Sequence, residues 1–326
     1  MRILVTGATG FIGKPLIPLL KQNGFFIRTT NREIDNNIFP KDLSLNDTVF
    51  FDLSSDKNDY KVILEDIDVV IHLAAKVHNV SSSREDAEEY FKINAGSTEK
   101  LAKLASLHGV KRFIFLSSIK VNGERNISDE KGNILAFNEG DDPRPQGAYA
   151  KSKLEAEDVI RKICSESKMD FVILRPTLVY GPGVRANFLS LLNIVNKNYP
   201  LPFASVKNKR SLLYVGNLIH VISLCVNCSE VANQTYLISD TDISVPELVR
   251  TIASLLEKRA LLFPFPVRYL RAIGSLTGKR QIIERLTDSL LVDNNSICKD
   301  VKWVPPHSFD EGLKTTIDWY LHAKDA

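Results

Sequence analysis

A tyrosine and a lysine at helical spacing, Tyr149 and Lys153, carry the clearest chemistry in the sequence. Residues four apart lie on one face of a helix, so the ammonium can sit beside the phenol. A nearby cation lowers the pKa of a tyrosine from about 10 towards neutrality, which a general acid or base for an alcohol or ketone requires. An ordinary exposed helix pair has the same spacing, so the context of the two residues decides between the readings.

Two hydroxyls, Ser117 and Ser118, supply that context. They stand at the end of the apolar run from Arg112 to Ser117, which we predict to be a buried strand. Sites in parallel α/β sheets form at the carboxyl ends of strands. We therefore expect a hydroxyl of this pair to hold a substrate oxygen while Tyr149 transfers a proton.

Three glycines near the start of the chain, Gly7, Gly10 and Gly13, predict a dinucleotide site. They lie between a short β-type run and a run of helical spacing, in the pattern GxxGxxG. Glycine permits a tight turn and a close backbone approach to a pyrophosphate, and the helix N-terminus offers free N–H groups. A purely structural turn is the alternative reading.

The end of the second predicted strand distinguishes NAD from NADP. An acid there binds the ribose 2′-hydroxyl of NAD, whereas an arginine favours the 2′-phosphate of NADP. The sequence has Asn31 in the acid's place, Arg32 beside it and Glu33 one step further. We therefore expect NADP(H), with NAD(H) as the alternative. Asp52 is a candidate for binding the adenine amino group, or else for capping a turn.

Strands and helices alternate through the first half of the chain, which predicts an α/β fold with a doubly wound parallel sheet of the Rossmann type. The predicted strands are Arg2 to Val5, Phe25 to Thr30, Asp68 to Ala75, Arg112 to Ser117 and Phe171 to Arg175. The predicted helices are Phe11 to Gln22, Glu85 to Leu107 and Tyr149 to Ser165.

Two domains are expected. Residues 1–180 form the dinucleotide-binding domain, and residues 212–240 return to it as strand, helix and strand. Residues 181–211 and 241–326 form a smaller C-terminal lobe that binds substrate. The cleft between the two is the natural place for the ligand.

Composition excludes several other classes. The 326 residues carry 42 Lys and Arg against 39 Asp and Glu, with no basic stripe to indicate nucleic acid. No run approaches the roughly 20 apolar residues that span a bilayer, and we expect no secretory leader. The four cysteines form no disulfide framework, and the CxxC of Cys225 and Cys228 is read as core packing with no metal. We expect a protein of the reducing cytoplasm.

Seven motifs follow one another along the chain: the glycine turn, Asp52–Leu53, HLAA at His72–Ala75, Asn94, SSxxVxG at Ser117–Gly123, YxxxK at Tyr149–Lys153 and RPTLVYGPG at Arg175–Gly183. Together they resemble the extended short-chain dehydrogenase/reductases, and more closely their nucleotide-sugar epimerase/dehydratase group. The resemblance covers essentially the whole chain.

The resemblance implies a role for each member of the site. Ser118 contacts the sugar oxygen, Tyr149 is the acid/base, and Lys153 holds the nicotinamide ribose and tunes Tyr149. With the turn and ribose residues above, the expected cofactor contacts are Gly7, Thr9, Gly10, Phe11, Ile12, Gly13, Asn31, Arg32, Asp52, Leu53, Leu73, Ala74, Ala75, Asn94, Ser117, Tyr149, Lys153, Pro176 and Thr177. The expected substrate contacts are Ser118, Asn187, Arg210 and Arg285, with Arg280 a weaker candidate.

Arg210 would clamp the diphosphate through its forked guanidinium, unless it is a solvated residue of a basic loop. Three positions depart from the group's pattern. Ile119–Lys120 replaces the Asp–Glu pair of the 4,6-dehydratases, so we expect no dehydration. Asn122 replaces a tyrosine near the sugar, and Leu178 replaces an asparagine that contacts uridine in the 4-epimerases.

The implied reaction is hydride transfer at C4 of a UDP-linked hexose. With NADPH expected, the favoured function is a UDP-4-keto-6-deoxy-N-acetylhexosamine 4-reductase of surface-polysaccharide biosynthesis. The alternative is a UDP-hexose 4-epimerase acting on UDP-glucose or UDP-GlcNAc. Remoter alternatives are a non-catalytic NADP-sensing protein and a reductase of steroids or flavonoids. Related enzymes form dimers through two long helices, here Glu85–Leu107 and Tyr149–Ser165.

Overall fold

The computed structural model describes residues 1–32, 47–55, 57–77 and 84–325. The strands in these residues are β1 Arg2–Thr6, β2 Phe26–Asn31, β3 Thr48–Phe50, β4 Val69–His72, β5 Arg112–Leu116, β6 Asp170–Pro176, β7 Leu178–Tyr180, β8 Arg210–Tyr214, β9 Gln234–Ile238 and β10 Thr241–Ile243. The helices are α1 Gly13–Gln22, α2 Tyr60–Leu64, α3 Arg84–Tyr90, α4 Ser97–Leu107, α5 Gly147–Ser165, α6 Ala186–Asn196, α7 Val215–Cys225, α8 Val245–Leu255, α9 Val267–Leu276, α10 Arg280–Thr287, α11 Asn295–Asp300 and α12 Phe309–Asp325.

Seven parallel strands form the main sheet, in the order β3-β2-β1-β4-β5-β6-β9. Apolar side chains cover both of its faces. Along β1, Ile3 and Val5 belong to one core cluster and Leu4 to the other, as the two-residue period of a strand requires. The strand order reverses between β1 and β4, where doubly wound sheets bind their ligands. The predicted α/β fold of the Rossmann type is confirmed.

A second sheet has the order β10-β8-β7. This sheet separates the parts of residues 212–240, which we expected to return together to the first domain. α7 packs against α1, and β9 pairs with β6 in the main sheet. β8, in contrast, pairs with β7 and β10. The sequence shows three apolar elements here but not their partners; in the structure β9 occupies the edge of β6 and β8 pairs elsewhere.

The long helix predicted at Glu85–Leu107 is interrupted. A π-helical turn, Phe91–Gly96, joins α3 to α4. Such turns insert an extra residue and are frequent at functional sites. Here the turn buries Asn94, which is 2% exposed, so an amide faces inward from a helix that the sequence shows as continuous.

Gly13 allows α1 to begin close against the end of β1. A Cβ at this position would lie 2.3 Å from Gly7 O and 2.6 Å from Ala8 Cα. Both are backbone atoms that cannot move without displacing the turn. α1 also contains Pro18, and its buried side chains Leu16 and Leu20 still reach the core.

Gly13→Ala is expected to destabilise the protein by about 1–3 kcal/mol, since the added methyl overpacks backbone against backbone. Urea unfolding measures the change. Gly96→Ala is the matched control, because Gly96 has a helical φ of −62° and its nearest neighbour, Phe91 O, would lie 3.9 Å from a Cβ. It should leave stability unchanged or raise it by up to about 1 kcal/mol. Equal losses in the two variants would contradict this account.

Candidate active site

The predicted cofactor residues lie at the carboxyl ends of the parallel strands. Thr6 pairs with His72, and His72 with Phe115, so the segments after β1, β4 and β5 stand side by side. Gly7 has a φ of +72°, and a Cβ there would lie 2.8 Å from Ala74 N. The turn after β1 therefore needs glycine both for its backbone angle and for its contact with the strand beside it.

The N-terminus of α1 fits an anionic group. Ile12 precedes the helix, and its side chain makes no hydrogen bond to the first amides of α1. The first amides of a helix have no partner within it and attract phosphate. Gly10 is exposed beside this helix start, so the turn presents bare backbone where a pyrophosphate would approach.

Three consecutive residues at the end of β5 lie beside three successive turns of α5. Lys153 Nζ donates to Leu116 O at 2.7 Å. Ser117 Oγ donates to Glu157 Oε1 at 2.5 Å. Ser118 lies close enough to the Tyr149 hydroxyl to lower its pKa. Since 149, 153 and 157 are four residues apart, one face of α5 holds the predicted catalytic residues together.

The pKa values of Tyr149 and Lys153 on this face of α5 differ from the expected ones. Burial raises the pKa of Tyr149 to about 12, and Ser118 lowers it only in part. Burial also lowers the pKa of Lys153 to about 7, although the Glu157 carboxylate opposes this. The expectation that Lys153 brings the tyrosine pKa towards neutrality is wrong here, because desolvation outweighs charge and the ammonium is bonded to Leu116 O.

A buried carboxylate fixes this arrangement. Glu157 is fully buried and accepts hydrogen bonds from Ser117, from Arg161 and, through both of its oxygens, from Arg175. Arg175 also donates to Asn122 Oδ1 at 2.9 Å. The Ser117 hydroxyl donates to Glu157 and the Ser117 N–H donates to Leu174 O at 2.7 Å, so neither donor of this residue is left for the expected cofactor contact. Asn122, in the place of the tyrosine, is a buried partner of Arg175.

Asn94 ties the loop after β4 to α5. Its Oδ1 accepts from Lys76 N at 2.8 Å, and its Nδ2 donates to Lys76 O and to Ser152 Oγ, each at 3.1 Å. Ser152 Oγ donates in turn to Tyr149 O at 2.9 Å. The interrupted helix thus places an amide between the predicted cofactor loop and the predicted acid/base.

His72, from the HLAA motif, is a buried structural link. It lies between Thr6 Oγ1, 2.6 Å from Nδ1, and Thr98 Oγ1, 2.9 Å from Nε2. Burial lowers its pKa to about 3, so the ring is neutral. Because Thr98 donates its hydrogen to Asn94 O, it accepts from His72, which fixes the proton on Nε2. This chain of bonds connects β1 to Asn94.

The ribose end of the dinucleotide site lies at β2. Asn31 Oδ1 accepts from Arg32 N at 2.9 Å, whereas Asn31 Nδ2 is buried with no partner in the described part of the chain. A buried donor of this kind needs an acceptor, which a phosphate or a ribose oxygen supplies. Arg32 is exposed beside it. Glu33 lies outside the described residues.

Two other predicted cofactor contacts have structural bonds of their own. Asp52 Oδ1 accepts from Ser54 N and Ser54 Oγ, which is the turn-capping alternative. Thr177 N and Oγ1 both donate to Ile238 O, so the hydroxyl of Thr177 links β6 to β9. Leu53, Leu73, Ala74 and Ala75 are part-exposed at the carboxyl edge, and Pro176 is buried there.

The predicted diphosphate residues form a charged cluster near the catalytic face. Arg210 Nη1 donates to Asp288 O at 3.2 Å, and Arg285 Nε lies 3.6 Å from Glu124 Oε2. Burial lowers the pKa of Arg210, against the attraction of Glu124 and Asp288. Asn187 is exposed at the start of α6. Arg280 pairs with Glu284 outside this cluster.

Sequence reasoning missed two members of the cluster. Lys120 Nζ lies 3.4 Å from Glu124 Oε1 and 5.9 Å from the centre of the Tyr149 ring. Its pKa is lowered, first by burial, with Arg285 and Arg210 adding repulsion. Lys120 and Glu124 are four residues apart, but only the fold brings the arginines of the lobe to them. The cations Lys120, Arg210 and Arg285 thus surround one carboxylate.

The fold and this site define a class. A glycine turn at a helix N-terminus lies at the switch point of a Rossmann-type sheet, and a hydroxyl, a tyrosine and a lysine lie at the carboxyl end of β5 in the same sheet, as in dinucleotide-dependent oxidoreductases. The chain belongs to the NAD dependent epimerase/dehydratase family, whose model matches residues 3–239. Among the residues described, no helix is long and apolar enough to cross a membrane.

Several known proteins are similar over their whole length. The UDP-glucose 4-epimerase of Vibrio cholerae is 38% identical over 331 residues, covering 99% of this chain and 96% of that protein. The N-acetyl-alpha-D-glucosaminyl-diphospho-ditrans,octacis-undecaprenol 4-epimerase of Escherichia coli O157:H7 is 24% identical and covers the same shares. Among solved structures, MoeE5 in complex with UDP-glucuronic acid and NAD is 25% identical, with a TM-score of 0.77 over 99% of this chain and 100% of that one.

The lowered pKa of Lys153 predicts how the free energy of unfolding depends on pH. An exposed lysine keeps its proton to about pH 10.4, whereas folded Lys153 loses it near 7. Below pH 7 both states carry the proton and burying the charge costs stability; above pH 7 the folded state sheds it and the cost shrinks. Lys153→Met should therefore stabilise the ligand-free protein most at pH 6 and much less at pH 9, as measured by urea unfolding. A stabilisation that is independent of pH would contradict the assignment.

Proposed function

We propose that the protein is a UDP-hexose 4-epimerase, with Ser118, Tyr149 and Lys153 as its catalytic residues. The observation that carries this is the bonding of the end of β5 to one face of α5 beside the glycine turn, in a chain 38% identical throughout to a UDP-glucose 4-epimerase. The geometry is that of a proton-transfer group held next to a dinucleotide site.

The chain's own residues have distinct tasks in this mechanism. Ser118 Oγ orients the C4 oxygen, and Tyr149 Oη takes its proton on oxidation and returns it on reduction. Lys153 holds the nicotinamide ribose, and its charge favours the tyrosinate while the proton is away. The bound nicotinamide supplies hydride acceptance and donation. For epimerisation, the substrate lobe must let the keto sugar present its other face before the hydride returns.

The raised pKa of Tyr149 shows why ligands matter to this step. A phenol with a pKa of about 12 keeps its proton at neutral pH. Positive charge added beside it, from the oxidised nicotinamide and from a protonated Lys153, favours loss of the proton. We therefore propose that Tyr149 becomes a base only in the loaded site, which protects the free protein from unproductive ionisation.

Arg210 and Arg285 are proposed to bind the diphosphate, with Asn187 near the sugar or phosphate. Glu124 neutralises part of their charge in the free protein. A diphosphate brings more negative charge than one carboxylate and accepts forked hydrogen bonds from guanidinium. The lobe of residues 181–211 and 241–326, which supplies these arginines, is proposed as the substrate-binding domain.

The second candidate is the UDP-4-keto-6-deoxy-N-acetylhexosamine 4-reductase of surface-polysaccharide biosynthesis. It is favoured by Asn31, whose buried Nδ2 lacks an acceptor while its Oδ1 is already bonded, with Arg32 beside it. A donor and a cation fit a 2′-phosphate better than a hydroxyl that must itself donate. NADPH is consumed stoichiometrically in such a reduction, whereas an epimerase retains NAD.

Cellular context is also a proposal. Four free thiols, at Cys164, Cys225, Cys228 and Cys298, support a reducing compartment such as the cytoplasm. A homodimer through residues Glu85–Leu107 and Tyr149–Ser165 is proposed by analogy with related enzymes. Light scattering of the purified protein tests the dimer directly.

The activity is tested with UDP-glucose and UDP-GlcNAc and no added cofactor. We expect interconversion with the C4 epimers, followed by nuclear magnetic resonance. Tyr149→Phe should reduce turnover by about 10²–10⁴-fold and leave dinucleotide binding nearly unchanged, because only the proton-transfer group is lost. Tyr199→Phe, at an exposed tyrosine, is the matched control.

Two results would overturn the epimerase proposal. One is the absence of interconversion together with NADPH-dependent reduction of a UDP-4-keto-6-deoxy sugar, which would establish the reductase. The other is unaltered turnover in Tyr149→Phe, which would remove the proposed acid/base.

Cofactor choice is tested separately at β2. Asn31→Asp replaces the unpaired amide donor by a carboxylate, which accepts from a ribose 2′-hydroxyl and repels a 2′-phosphate. We expect the ratio of NAD to NADP affinity to rise by roughly tenfold or more, as measured by fluorescence titration, since one such contact contributes at least about 1.4 kcal/mol of discrimination. An unchanged ratio would show that Asn31 does not face the ribose.

A further inference from the structure

The outer face of α9 is apolar although it faces solvent. Tyr269, Ile273 and Leu276 are 47%, 49% and 87% exposed, and Ala272 lies exposed between them. Positions 269, 272, 273 and 276 have the spacing of one helical stripe. The opposite face already packs inward through Leu270, so this helix has a second apolar face.

α10 continues the same surface. Gly274 of α9 lies against Ile283 of α10, where a Cβ would approach Ile283 Cγ1 to 2.8 Å. The two helices therefore pack as a close hairpin. Ile282, beside this contact, is 50% exposed. We call α9, α10 and the turn between them the α9–α10 hairpin.

The charge around the hairpin is mostly positive, with Glu284 of α10 as the single acidic residue between Val267 and Thr287. Residues 258–283 contain six cations and no Asp or Glu: Lys258, Arg259, Arg268, Arg271, Lys279 and Arg280. The other 300 residues carry 36 cations against 39 acids, so the positive net charge of the whole protein comes from this segment. A composition that is balanced overall hides a local concentration of positive charge.

Most of this charge is available for a partner. Lys258, Arg259, Arg268 and Lys279 form no salt bridge within the described part of the chain, whereas Arg271 and Arg280 pair with Asp288 and Glu284. Arg268 instead lies over the Tyr269 ring, 4.7 Å from its centre. A cation thus lies directly beside the exposed apolar stripe of α9.

A polar pocket opens between the two helices. It has a volume of about 260 Å³ and is lined by Arg125, Arg271, Ala272, Ser275, Arg280 and Glu284. Arg125 and Arg271 pair with Asp288, and Arg280 pairs with Glu284. Three guanidinium groups against two carboxylates leave one net positive charge, which attracts a phosphate group. The pocket adjoins the apolar stripe through Ala272.

We propose that the α9–α10 hairpin adsorbs to a bilayer of anionic phospholipid. Helices that carry exposed apolar residues and flanking Lys and Arg lie in the membrane interface, and each cation near an anionic surface contributes about 1 kcal/mol. α9 has ten residues and spans about 15 Å, so it lies on the bilayer and cannot cross it. The arginine pocket receives lipid phosphate.

A second copy of the chain fits this surface poorly. A two-fold interface brings the same patch of each subunit together, which would place the five cations and single carboxylate of one hairpin against those of the other. Like charges facing each other across an interface cost several kcal/mol. An anionic bilayer supplies both the opposite charge and an apolar layer for Tyr269, Ile273 and Leu276.

Flotation of the full chain with vesicles tests the proposal. We expect binding to vesicles of phosphatidylglycerol and phosphatidylcholine in equal parts, little binding to phosphatidylcholine alone, and release at about 0.5 M salt. Ile273→Ser with Leu276→Ser should weaken partitioning by roughly tenfold or more, since two exposed apolar side chains are lost. Val304→Ser, at a residue that is 77% exposed elsewhere, is the matched control.

Charge reversal tests the contribution of the cations to vesicle binding. Arg268→Glu with Lys279→Glu should weaken partitioning by roughly tenfold or more, whereas Lys168→Glu with Lys314→Glu changes the net charge equally at exposed sites elsewhere and should have little effect. Turnover of a water-soluble UDP-sugar should be unchanged in all four variants. This readout separates the surface from the active site.

Four outcomes would overturn the proposal. The first three are no binding to anionic vesicles, equal binding to both kinds of vesicle, and equal losses in the hairpin variants and their controls. The fourth is a change of oligomeric state in Ile273→Ser with Leu276→Ser, measured by light scattering, together with unchanged vesicle binding. None of them bears on the UDP-hexose reaction, whose failure would leave vesicle binding intact.

Discussion

The buried carboxylate of Glu157 is the interaction on which the site depends. Taking a carboxylate out of water costs several kcal/mol unless paired donors replace the solvent. Here Ser117, Arg161 and Arg175 supply those donors, and each comes from a different place in the fold. The charge can therefore be accommodated only when β5, α5 and β6 are in register. Ser118 follows Ser117 directly, so its position is fixed by the same bonds.

The same burial that fixes the site also sets its protonation. Desolvation moves Tyr149 and Lys153 towards their neutral forms, and the negative charge of Glu157 holds Lys153 closer to its protonated state. The neutral ring of His72 links β1 to Asn94 without adding charge. A nearly neutral centre responds strongly to any charged ligand, because few fixed charges compete with it.

Charge is distributed very differently on the C-terminal side. Arg210 and Arg285 surround Glu124 near the catalytic face, while the α9–α10 hairpin carries its cations outward. Asp288 connects the two, since its backbone oxygen accepts from Arg210 and its carboxylate from Arg271. A proposed binding site for a soluble anion thus adjoins a proposed binding surface for an anionic membrane.

The sequence by itself determined the fold class, because strands buried on both faces and a glycine turn leave their pattern in residue type and spacing. It also predicted Tyr149, Lys153 and Ser118 as catalytic residues, because they lie in short local motifs, and this assignment stays a prediction. Only the tertiary structure decided that β8 pairs in a second sheet, that a π turn directs Asn94 inward and that Ser117 is engaged with Glu157. It also overturned the expected pKa of Tyr149, since burial is a property of the whole fold. The stripe on α9 that we propose faces a membrane consists of apolar residues at helical spacing. In the sequence such residues cannot be told from core residues, because only the tertiary structure gives their exposure.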